Sequence, residues 1–122
     1  MLLRTKLLAI AISAFLLIGP DSVGAQSVYL ADIDDLPLAP GLVEDPNARV
    51  SFDKPAGRII EAAATGDTSW EAVRGFYAQT LPGLGWTSRD ATHWERNGES
   101  LTIQIEPGGP PMIVRFSIAP KD

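Results

Sequence analysis

Between Glu99 and Glu106 the chain alternates strictly, with Leu101, Ile103 and Ile105 set against Thr102, Gln104 and Glu106. Successive side chains of a strand point to opposite faces, so this stretch belongs in a sheet with one face buried and one face wet. The same alternation returns in Met112, Val114, Phe116 and Ile118 against Ile113, Arg115 and Ser117, a last strand that ends at Pro120. It also occurs earlier, where Val50 and Phe52 alternate with Arg49, Ser51 and Asp53. Asn97-Gly98 tolerates positive φ at both central positions of a type I′ turn, and so predicts a hairpin between Thr92–Arg96 and Glu99–Glu106. A shorter strand over Trp86–Ser88 precedes it across Arg89-Asp90-Ala91, and Pro107-Gly108-Gly109-Pro110-Pro111 is a stiff loop.

Two further elements complete the regular part of the chain. Lys54-Pro55-Ala56-Gly57 is a turn, followed by Arg58–Thr65. The alanines of that stretch lower its β-propensity and keep helix as a competing reading, but the turn and the alternation of Arg58 and Glu61 around Ile59 and Ile60 favour a strand. A helix then starts at Gly66-Asp67-Thr68, where Thr68 and Glu71 have the spacing of a capping box, and runs to about Leu81 before Pro82-Gly83. Trp70, Val73, Phe76, Tyr77 and Leu81 fall on one side of it, and Glu71, Arg74 and Gln79 on the other. The expected fold is therefore α+β: an antiparallel sheet of about five strands in the order ββαβββ, or one short strand more, with the amphipathic helix on its apolar face.

Residues 47–122 form that single domain. Ahead of it, residues 26–46 carry Asp32, Asp34, Asp35, Glu44 and Asp45, no basic residue, and prolines 37, 40 and 46, which rule out a continuous helix. Tyr29, Leu30, Ile33, Leu36, Leu38, Leu42 and Val43 recur among the acids, so an extended arm that lies against the domain is expected. The alternative is a tail that orders only on a partner. Residues 1–25 read as a signal peptide. Arg4 and Lys6 precede an uncharged stretch from Leu7 to Ile18, Gly19-Pro20 breaks it, and Val23-Gly24-Ala25 places cleavage before Gln26. As a helix the apolar stretch would reach only about 18 Å, short of a bilayer core of about 30 Å, which makes a retained membrane anchor the weaker reading. The expected address is periplasmic or secreted.

The sequence contains no cysteine, so disulfides, iron–sulfur clusters, thiol nucleophiles and lipoprotein acylation are excluded, and stability must come from apolar burial. Net charge is −5 for the whole chain; loss of Arg4, Lys6 and Asp21 with the signal leaves about −6. Such a charge repels nucleic-acid backbones and anionic lipid surfaces, so neither is an expected partner.

Candidate chemistry is sparse. His93 is the sole histidine, and alternation puts it on one strand face with Glu95 and on the opposite face from Trp94. One histidine with scattered carboxylates does not make a zinc site, and no Gly-x-Ser-x-Gly elbow accompanies it. Asp34-Asp35 and Glu44-Asp45 are paired carboxylates, best explained by solvation in the arm. Asp32, Asp34 and Asp35 match no EF-hand loop, and Gly108-Gly109 no phosphate cradle. Trp70 and Trp86 are expected to close the core between helix and sheet; Trp94 could face outward. No catalytic, cofactor-binding or metal-ligating residue is assigned.

The run FYAQTLPGLGW, from Phe76-Tyr77 to Gly85-Trp86, preceded by Phe52-Asp53-Lys54-Pro55 and Gly57-Arg58-Ile59, resembles small exported bacterial proteins of unknown function in which a Phe-Tyr helix precedes a Leu-Gly-Trp strand start. The resemblance implies a bacterial, periplasmic setting and no activity. Export, small size and the acidic apolar arm lead to the expectation of a non-catalytic domain that binds or supports another envelope protein. Two alternatives stand beside it: a small carboxylate-dependent hydrolase, with or without His93, and a protease-inhibitor-like protein that presents Pro107–Pro111.

Overall fold

The structure is a computed structural model that describes residues 28–108 and 110–121, so the expected signal peptide lies outside the described residues. Its elements are β1 (Leu42–Glu44), β2 (Val50–Lys54), β3 (Gly57–Gly66), α1 (Trp70–Thr80), β4 (Thr87–Ser88), β5 (His93–Arg96), β6 (Glu99–Glu106) and β7 (Met112–Pro120). All strands join one antiparallel sheet in the order β1-β3-β7-β6-β5-β4, and β2 pairs with β3 beside β1.

The alternation in the sequence becomes rows of side chains across this sheet. Trp94, Leu101, Ile118 and Ile60 stand in register across four strands, with Ile103, Phe116 and Ala62 in the next row and Ile105, Val114 and Ala64 beyond it. Leu101, Ile118, Val114 and Ala64 are wholly buried, and Ile105 packs against the cluster. The opposite face carries Glu61, Thr102, Gln104, Arg115 and Ser117, with Arg115 paired to Glu106. Asn97 and Gly98 take φ of 51° and 79°, as a two-residue hairpin with the right-handed strand twist requires. The stretch Gly57–Gly66 is strand throughout despite its alanines, because it pairs on both sides: β7 on one, β1 and β2 on the other.

Three expectations need correction. The sheet has seven strands rather than about five, and three of them precede the helix. β1 is the strand that the sequence does not announce: three residues between prolines carry too little alternation, and pairing with the far half of β3 makes it a strand. This pairing demands a bare Cα at Gly66, where a Cβ would come within 1.9 Å of the Gly41 carbonyl oxygen. Second, the helix cap is Ser69, whose hydroxyl accepts from the Ala72 N–H at 3.1 Å; Thr68 and Glu71 form no capping box. Two adjacent hydroxyls offered the same chemistry one residue apart. Third, Trp70 does not close the core but is 50% exposed at the first position of α1.

The arm turns inward. Residues 28–38 fold back on themselves through hydrogen bonds from Leu30 N to Leu36 O and from Leu38 N to Val28 O, with Tyr29 and Pro37 bridged between them. This closed loop drives Leu30, Ile33 and Leu36 into the same core as the sheet and α1, and Leu38, Ala39 and Leu42 follow. Tyr29 and Val43 remain exposed. The buried Tyr77 hydroxyl of α1 fastens the loop, donating to the Pro37 carbonyl at 2.8 Å and accepting from the Ala39 N–H at 3.2 Å. Burial pushes its phenol pKa up, so it stays a neutral donor. Glu44 adds a second tie, accepting from the Ala31 N–H and from Arg49.

Ile33→Ala should therefore cost about 2–5 kcal/mol, as core truncations do, in place of the few tenths expected of a loosely attached arm. Tyr77→Phe should cost about 1–3 kcal/mol by leaving buried Pro37 and Ala39 backbone groups unpaired. Denaturant unfolding of both variants measures the two losses.

Candidate functional site

The helix does not cover the whole sheet. Val73 and Tyr77 form the buried row of α1, continued by Leu81 at its C-cap, whereas Trp70, Arg74 and Ala78, four residues apart, form the adjoining exposed row. Beyond that exposed row lies an open cleft of about 1330 Å³ between α1 and the β5–β6 side of the sheet. Its floor is Trp94, Ile103, Ile105 and Met112; one end is closed by Trp86 and Pro82, the other by Pro107 and Gly108. The turn from β4 to β5 supplies a rim of Ser88, Asp90, Ala91 and Thr92.

All three tryptophans line this cleft. Trp70 stands at its mouth with the Arg74 guanidinium 5.2 Å from its ring centroid. Trp86 is 97% buried by its 3% exposure, and Trp94 is buried on the inner face rather than turned outward. Arg96 holds Trp86 from behind: its guanidinium lies 4.2 Å over the ring and donates to Asp35 at 2.7 Å and to the Leu84 carbonyl at 2.8 Å. One side chain thus connects the inward loop, the turn after α1 and the cleft wall. The Trp86 indole N–H is buried with no hydrogen-bond partner among the described residues.

The polar candidates gather elsewhere or are already engaged. Asp90 caps its own turn, accepting from the backbone N–H groups of Thr92 and His93, both at 2.9 Å, and from the Thr92 hydroxyl. Its oxygen also lies 2.8 Å from His93 Nδ1. The Thr92 N–H, then the His93 ring, hold the Asp90 carboxyl down to about 2. His93 itself is exposed and is not part of the cleft lining. Glu95, on the same strand face, pairs with Arg89 and Lys121. Glu106 at the cleft edge is paired with Arg115.

In the loop, Asp34 is exposed, and Asp35 is bound by Arg96, whose hydrogen bond lowers its pKa. Glu44 and Asp45 part company: Glu44 faces Arg49, and Asp45 caps the short 3₁₀ turn Pro46–Ala48 through the Asn47 N–H. No group of three or more His, Asp or Glu able to hold a metal occurs among the described residues, and Asp32 joins no such group. Gly108 borders the cleft, while Gly109 lies outside the described residues. No described helix is long and apolar enough to cross a membrane.

The cleft itself escaped sequence reasoning. Its signal is the row Trp70, Arg74, Ala78, which has helical spacing, but the sequence pattern divides Trp70 from Arg74 between the two sides of the helix. No protein-family model, curated protein or solved structure matches the chain.

The lowered carboxyl groups fix a pH dependence. For both Asp35 and Asp90 the folded state favours the ionised form, so the stability they contribute is present above the ordinary carboxylate range and is lost as pH falls through the folded values. For Asp90 that window runs from about 4 down to about 2. Unfolding followed from pH 5 to pH 2 should show stability falling on acidification, with a shallower fall in Asp90→Asn and Asp35→Asn.

Proposed function

We propose that this protein is a non-catalytic, exported binding domain of the bacterial envelope, and that its binding site is the apolar cleft between α1 and the β5–β6 side of the sheet. The observation that carries this reading is the cleft itself: about 1330 Å³ floored by Trp94, Ile103, Ile105 and Met112, with half-exposed Trp70 at its mouth. Apolar clefts with a few polar rim groups are the usual form of small-molecule sites, and apolar surface left in water favours an occupant. The charged rim groups Asp90 and Glu106 are committed to their own neighbours, which favours binding over chemistry. The acidic loop is the weaker candidate for recognition, since Leu30, Ile33, Leu36 and Leu38 are taken up by the core and only Val28 and Tyr29 of its large side chains stay exposed. Pro107 forms a cleft wall, which does not favour a freely presented inhibitory loop. Export rests on the N-terminal sequence pattern, with cleavage near Ala25.

The test is titration of the mature protein with Nile red, a neutral apolar probe, read by dye emission and by tryptophan emission. Saturable binding with a change in tryptophan emission is expected, because all three indoles line the cleft. Ala78→Phe, an exposed wall position, should weaken it at least about tenfold, roughly the 1.4 kcal/mol of a decade in affinity, with the unfolding midpoint unchanged. Absence of saturable binding, or binding indifferent to Ala78→Phe, refutes the cleft as the site.

A further inference from the structure

The charges around the cleft are not equivalent. Of the charged residues that line it, Asp90 is saturated by its turn and Glu106 is paired with Arg115, whereas Arg74 has no carboxylate partner among the described residues. Among the described lysines and arginines only Lys54 shares that condition, and it sits at the end of β2, away from the cleft lining. Arg74 lies on the exposed row of α1 with its guanidinium over Trp70, so the five donors of a planar cation stand at the mouth of an apolar trough.

Resting on the cleft as the binding site, we infer that its occupant is a monomeric single-chain amphiphile with one anionic head: an ionised alkyl carboxylate whose head pairs with Arg74 and whose chain lies along Ile103, Ile105 and Met112. A carboxylate matches the guanidinium fork in two parallel hydrogen bonds. The alkyl chain needs no polar partner, which agrees with the wholly apolar side chains of Ile103, Ile105 and Met112 along which it lies. The chain's net negative charge disfavours an anionic membrane surface at long range, while a single local cation suffices for one monomeric head.

The experiment is displacement of Nile red from the mature protein by decanoate and by decanol, both below the concentrations at which they self-associate, at neutral pH. Decanoate should displace at about tenfold lower concentration than decanol, and Arg74→Gln should bring the two to within about twofold. Arg74→Lys should retain part of the preference, and Lys54→Gln all of it. Equal displacement by acid and alcohol, displacement by neither, or a preference that survives Arg74→Gln overturns the anionic-amphiphile assignment while leaving the apolar cleft as the site. Failure of Nile red itself to bind overturns the cleft reading and this inference with it.

Discussion

A single helix is too narrow for this sheet. Six strand positions at about 4.8 Å apart span roughly 24 Å, whereas a helix with its side chains is about 10–12 Å wide. One face of the sheet is apolar from Ile60 to Trp94 and must be shielded from water across that whole width. The protein meets this demand with two unlike covers, the eleven-residue α1 and the closed loop of residues 28–38. Where neither cover reaches, the face remains open as the cleft.

The loop lacks any repetitive hydrogen bonding of its own beyond a few turns, so its position depends on three side chains from elsewhere. Tyr77 binds the backbone on either side of Leu38, Arg96 binds Asp35, and Glu44 binds the Ala31 N–H. Each tie originates on a different element: the helix, the fifth strand and the first. Buried backbone groups need such partners, and an irregular segment can obtain them only from its surroundings. The same Arg96 side chain stacks on Trp86, so ordering of the loop and of one cleft wall are mechanically connected.

The arrangement also accounts for the contrast among the tryptophans. Trp94 is placed on the inner face by sheet register, in a row with Leu101, Ile118 and Ile60, and is buried in the core cluster there. Trp86 is enclosed by the turn after α1 and by Arg96. Trp70 belongs to the exposed helix row that borders the cleft and remains half in solvent. Helical spacing alone put Trp70 with Val73 and Tyr77, since a stripe of apolar residues does not reveal how far the opposing surface extends.

The antiparallel α+β class, the hairpin at Asn97-Gly98, the bounds of β6 and the inward rows of β6 and β7 were legible in residue order, because period-two alternation and positive-φ turn residues act over a few positions. The signal-peptide reading likewise rests on residue order and concerns residues outside the described structure. Strand β1, the closed loop and the cleft were not legible. β1 exists through pairing with β3, the loop closes through its own backbone bonds and is fastened in place by Tyr77, Arg96 and Glu44, and the cleft is space that two covers of unequal reach leave between them. Local patterns determine which way a side chain faces, but what lies opposite it is decided only when distant segments compete for the same apolar surface.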